Sequence, residues 1–251
     1  MIASFYQALA IPEACYLGNT VYKKLFYDNG ALNAADKKAF TQDIDDIQWS
    51  YTLKSETINI PAFINEEYDY SEVAILQVQL RETKRYKRLA QIIQRTIPYP
   101  LLIIFSHDDY IALSVADKQI NRVDHNKIKV ADFQETHWID LNRPSESELD
   151  FINSCTIQNF SYQNFYVFYK DLTARVIALQ CAIIGGCYTL KTDATQEQRS
   201  ECLNSIYHTQ QKITSLRAVL KKESQFNRKI DLNMQIKKLT QELEQHKQKI
   251  S

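Results

Sequence analysis

The chain has 251 residues, with 30 Lys/Arg balancing 30 Asp/Glu and a hydrophobic share of 45%, but only 4 glycines and 5 prolines. That length can bury a sizeable core, and the composition is that of a globular chain, not a disordered or collagen-like one. Few glycines argue against phosphate-cradling loops, and the sequence contains no G-x-x-x-x-G-K-[ST], G-x-G-x-x-G, H-E-x-x-H, G-x-S-x-G or EF-hand pattern.

The opening MIASFYQALAIPE has neither a basic leader nor a full apolar run, so no signal peptide is expected there. The first forty residues read as helix and loop. NAADKKAFTQDIDDIQW begins with Asn33 as an N-cap and Asp36 three residues on, a variant capping box, and Phe40, Ile44 and Ile47 follow at helical spacing. WSYTLKSETINIPAF (49–63) alternates and is rich in β-branched and aromatic residues, which predicts a strand ended by Pro61. After the acidic turn EEYDYSE, VAILQVQL (73–80) predicts a second strand. TKRYKRLAQIIQRTI predicts a helix with Tyr86, Leu89, Ala90, Ile93 and Ile97 on one side and most basic residues on the other. PYPLLIIF (98–105) reads as a buried strand, and HDD (107–109) as the turn into a hairpin partner, YIALSVA. Strand, helix and strand in that order make a βαβ unit with parallel strands. KIKVADFQETHWIDL (127–141) adds one or two strands, so residues 1–142 are expected to form an α/β domain on a mixed sheet.

Residues 143–195 are expected to hold a core helix, with Phe165, Phe168, Leu172, Val176, Leu179 and Ile183 at 3- and 4-residue steps and Gly185-Gly186 as its stop. That spacing assigns the aromatic run FSYQNFYVFY (160–169) to the core; a platform for stacking bases is the competing use. The stretch VIALQCAIIGGCYTL is too short to span a bilayer. Cys15, Cys155, Cys181, Cys187 and Cys202 are odd in number and form no C-x-x-C, which reads as reduced thiols in a cytoplasmic protein.

Residues 196–251 are expected to be a helical arm. Cys202, Ile206, Thr209, Ile213, Leu216 and Leu220 make one 4-3-4-3-4 seam, and Leu232, Ile236, Leu239, Leu243, His246 and Ile250 make another. Extending the first lands on Glu223, Asn227, Ile230 and Met234 and misses the second. Either the chain reverses at KKESQFN into a coiled-coil hairpin, or one long helix carries a stutter. Leu216, Leu220, Phe226, Leu232, Ile236, Leu239 and Leu243 are the candidate partner-binding residues.

Charge is segregated although the total cancels. Residues 1–80 have a net charge of −6, residues 81–95 of +5 and residues 212–249 of +6. Arg81, Lys84, Arg85, Lys87, Arg88 and Arg95 are therefore candidate phosphate contacts, with a solvated helix face as the competing use. The element order also matches the PD-(D/E)xK nuclease core, but the relevant strand carries Gln77 and Gln79 where a charged pair belongs, with Asp69, Glu72 and Glu82 the nearest carboxylates. No catalytic residue, metal set or cofactor is assigned.

The segment IPEACYLGNTVYKKLFYDN, the IPYP before a buried strand, the surroundings of Trp138 and the arm QFNRK…LN together resemble a bacterial family catalogued as domain of unknown function 4391, over nearly the whole chain. The resemblance implies a companion role, because such proteins tend to be encoded beside helicases and DNA methyltransferases of restriction and phage-defence loci. The expectation is a non-enzymatic adaptor subunit of such a DNA-processing assembly. It would dock a helicase or DNA methyltransferase subunit, with nucleic acid or a second copy of itself as further partners and no membrane contact. A divergent magnesium-dependent nuclease and a structural coiled-coil dimer are the alternatives.

Overall fold

The computed structural model describes residues 2–121, 128–190 and 195–250. In chain order the elements are α1 (Ile2–Leu9), β1 (Tyr16–Thr20), α2 (Lys24–Asn29), α3 (Ala34–Gln42), β2 (Ile44–Lys54), α4 (Ser55–Ile58), β3 (Phe63–Ile64), β4 (Asp69–Tyr70) and β5 (Glu72–Leu80). There follow α5 (Tyr86–Thr96), β6 (Leu101–His107), β7 (Tyr110–Ile120), β8 (Ile128–Glu135), β9 (Ile139–Asp140), α6 (Glu146–Ser154), α7 (Phe165–Gly185), α8 (Gln196–Lys222) and α9 (Phe226–Gln248). The chain divides into two compact units, Met1–Val176 and Ile177–Ser251.

The first unit is built on a mixed sheet of order β1-β2-β5-β6-β7-β8, with β9 also paired to β7. β5 and β6 are parallel, from Ala74 opposite Leu101 to Gln79 opposite Ser106, and α5 makes the crossover between them, as the sequence pattern predicts. One sheet face packs against α2, α3 and α5. Phe26, Phe40, Leu76, Val78, Leu89, Ile93, Ile103 and Phe105 form its buried cluster, and each large side chain removed from water there contributes roughly 1.5–3 kcal/mol. Leu53, Val73, Ile75 and Leu102 belong to the opposite layer, where Leu9, Cys155, Ile157, Phe160, Phe168 and Leu172 enclose an apolar cavity of about 30 Å³ with them. The aromatic run 160–169 is accordingly core at Phe160, Phe165, Phe168 and Tyr169.

Asn33 caps α3 as expected: its side chain accepts from the Asp36 amide at 2.9 Å, and the Asp36 carboxylate takes the Asn33 amide at 3.3 Å. The helix does not continue through Ile44 and Ile47, which lie on β2. Two residues three apart on a regular strand would face opposite sides. A register shift between Ile44 and Asp46 restores both to the buried cluster, so a bulge imitates helical spacing. The strand expected over 49–63 ends at Lys54, where α4 intervenes and Asn59 takes a left-handed conformation at φ 56°. β1, inside the stretch read as helix and loop, pairs with β2 through Asn19 and Thr20.

In the second unit Thr195 and Gln198 form a capping box at the start of α8. At its end the Glu223 carboxylate accepts from the Ser224 and Gln225 amides at 2.8 and 2.9 Å, and α9 starts at Phe226. The helices run antiparallel, since the Cys202 thiol near the start of α8 donates to the His246 carbonyl near the end of α9 at 3.3 Å. The phase break is thus a reversal, not a stutter in one long helix. Ile206, Ile213 and Leu243 form the buried centre, with Cys202, Ile236, Leu239 and Ile250 packed around it.

Candidate functional site

Two regions contain the residues singled out from sequence. The first lies at the carboxyl end of β5, where Thr41, Gln42, Asp43, Arg81, Glu82, Lys84 and Arg85 line an open groove. In open α/β sheets this end of a parallel strand is where ligands gather. The basic residues there already have acidic partners. Arg85 grips Asp43 with Nε and a terminal nitrogen at 2.6 and 2.5 Å, and Arg88 grips Asp36 the same way at 2.8 and 2.7 Å. Both carboxylates are nearly sealed from water, Asp43 at 2% and Asp36 at 4% exposure. The Arg88 guanidinium, together with the Asn33 amide, holds the Asp36 carboxyl below its usual range, and each arginine is raised by its own carboxylate.

The remaining basic residues differ among themselves. Arg81 pairs with Asp45 at the surface. Arg95 lies over the Phe133 ring at 5.3 Å, and Lys87 faces Glu135, whose carboxyl is pushed up by burial and pulled back by that lysine. Lys84 is exposed and has no ion pair among the described residues. Geometry thus splits the six: Arg85 and Arg88 are clamps between α5, α3 and the start of β2, and Lys84 stands in water with no ion pair among the described residues.

A buried amine also secures the other end of α5. The Gln94 carbonyl would normally accept from the backbone N–H of the residue four places on, but that residue is Pro98, which has no N–H. Lys118 of β7 supplies the missing donor, its Nζ donating to the Gln94 carbonyl at 2.8 Å and also to the Ile97 carbonyl. Burial alone pushes that amine well below the usual lysine range.

The carboxylates considered for metal chemistry are not brought together. Asp69 lies on β4, Glu72 at the start of β5 beside Lys54 at 3.4 Å, and Glu82 beyond its other end; about 30 Å of strand separates the last two. Gln77 and Gln79 stand opposite Gln48 and Asp46 of β2. His107 donates from Nδ1 to the Leu80 carbonyl at 2.9 Å, and Asp108 and Asp109 form the β6–β7 turn. Among the described residues no group of three His, Cys, Asp or Glu is placed to hold a metal ion.

The second region is the α8–α9 pair. Ile236, Leu239 and Leu243 face the inner cluster, while Leu216, Leu220 and Leu232, nearer the turn, are half-buried. Phe226, at the turn, is 74% exposed. Val219, Ile230 and Met234 also stand out of the pair, at 52%, 44% and 66% exposure. These three were missed as candidates, although the run-on of the first seam lands on Ile230 and Met234. That run-on marks the face turned away from the inner cluster.

Among the described residues no helix is long and apolar enough to cross a membrane. The family described as "Domain of unknown function (DUF4391)" matches residues 9–243. No curated protein and no solved structure matches the chain.

Proposed function

The chain belongs to the DUF4391 family, and on that premise we propose that it is a non-catalytic accessory subunit that docks a protein partner on the outer face of the α8–α9 pair. One observation carries the reading: Ile230 and Met234, four residues apart on α9, stay exposed at 44% and 66% on a helix whose other face is already closed by Ile236, Leu239 and Leu243. An apolar stripe at one-turn spacing is what a helix presents to a groove in another protein. The basic residues flanking it would set orientation and association rate more than affinity.

The partner class follows from the loci that the family resemblance implies: a helicase or DNA methyltransferase subunit of a restriction-type, anti-phage assembly in the cytoplasm. A second copy of this chain is the weaker occupant, because two arms of net +6 over 212–249 repel each other.

The test is co-expression with the neighbouring helicase and methyltransferase genes, followed by affinity capture of the full chain. Ile230→Ser/Met234→Ser should lose the captured subunit and keep its helical signal. Undiminished capture by that variant would overturn the docking face. A wild-type dimer that the same variant turns into a monomer would replace the subunit with a second copy.

A further inference from the structure

Residues 212–238, the distal half of the helix pair, hold eight basic and two acidic residues, and all eight basic side chains are exposed. Four of them, Lys221, Lys222, Arg228 and Lys229, flank the connection at Glu223–Gln225. Glu223 does little to neutralise them. Its carboxylate is engaged by the Gln225 and Ser224 amides, which hold it below the usual range, and Arg228 reaches it only at 3.8 Å with 71% of the side chain in water. In the middle of these cations is Phe226, 74% exposed.

We propose that this tip is a contact site for single-stranded nucleic acid, in which Lys221, Lys222, Arg228 and Lys229 take backbone phosphates and the Phe226 ring stacks on an unpaired base. A ring kept in water forgoes its transfer free energy until something flat covers it, and every base offers a π-face. Closely spaced cations exposed to water match the regular charges of a strand, whose bound counterions they release. Duplex bases are stacked already and leave the ring nothing to cover. A lipid surface fits less well: Phe226, Ile230 and Met234 span only two turns, a small area for a helix lying in an interface. The site adjoins the docking face, with Phe226 one turn from Ile230, but it uses different residues and does not depend on the docked partner.

The test is anisotropy of a fluorescein-labelled oligothymidylate of about 16 nucleotides, titrated with the full chain over a range of salt. Four phosphate contacts predict a slope of log affinity on log salt of about −3. Phe226→Ala should weaken binding roughly tenfold or more with that slope unchanged. Lys221→Glu/Lys222→Glu should weaken it further and make the slope shallower by about 1.4. Ile230→Ser/Met234→Ser should bind the oligonucleotide like wild type, so loss of one site leaves the other standing. The proposal is overturned by no binding at about 50 mM salt, by a neutral Phe226→Ala, or by binding that survives the charge reversal. It is equally overturned if vesicles containing an anionic phospholipid retain the chain while the oligonucleotide does not.

Discussion

Two stretches of this chain, 81–95 and 212–249, carry nearly the same excess of positive charge, +5 and +6, and the fold treats them oppositely. On α5 the guanidiniums of Arg85 and Arg88 close onto Asp43 and Asp36, so the charge is consumed in holding one helix to its neighbours. On the α8–α9 pair the cations stand in water because both helices are basic and few acids are within reach. The acids that neutralise Arg85 and Arg88 come from 42 and 52 residues upstream, where the net charge is −6. A local charge run therefore reports availability only after its long-range partners are known.

The strongest test of that contrast reverses the paired arginines. Arg85→Glu/Arg88→Glu would set two carboxylates against two buried ones, and loss of cooperative thermal unfolding is the expected outcome, at a cost above about 4 kcal/mol. Retention of a wild-type melting curve would show that the pairs are incidental.

Lys118 extends the comparison to the far end of α5. Lys118→Ala strands the Gln94 and Ile97 carbonyls and leaves a void, an expected loss of about 3 kcal/mol in denaturant unfolding. Its folded pKa is depressed, so between that value and the unfolded 10.5 the unfolded chain binds the extra proton, and wild-type stability should gain with rising pH over that window. The alanine variant should lack that gain.

Arg88→Ala should cost about 2 kcal/mol, less than for a fully buried pair because the guanidinium is partly in water. The Asp36 carboxyl is lowered in the folded state, so its contribution is present above the unfolded value of 3.8 and is lost as pH falls through the folded one. Acid unfolding of Arg88→Ala should therefore have a flatter limb below about pH 4.

The smallest effect belongs to the arm. Lys221→Glu/Lys222→Glu should leave stability within about 0.5 kcal/mol of wild type, since both side chains are exposed and neither has an ion pair among the described residues. A loss comparable to that of Arg88→Ala would put the tip in the same class as α5 and remove the contrast.

Features set by near neighbours were legible in the sequence. The parallel pair β5 and β6 with α5 between them, the capping box at Asn33 and Asp36, the core periodicity of α7 and the break in phase within 221–227 all follow from periods of 2 and 3.6 and from cap chemistry acting within a few residues. The choice of a reversal over a stutter at that break came from the antiparallel packing of α8 and α9. Other features were settled by packing, because they depend on residues distant in the chain. The bulge at Ile44–Asp46 that turns apparent helical spacing into a strand exists because β2 must pair with β5 while keeping Ile44 and Ile47 in the core. A fully buried Lys118 makes sense only once Pro98 is seen to leave a carbonyl without its donor. The division of the six basic residues of 81–95 and the eight of 212–238 into those that clamp carboxylates and those that stay in water rests on which carboxylates burial forces into contact, since an ion pair in a low-dielectric interior is held strongly and a solvated one is not.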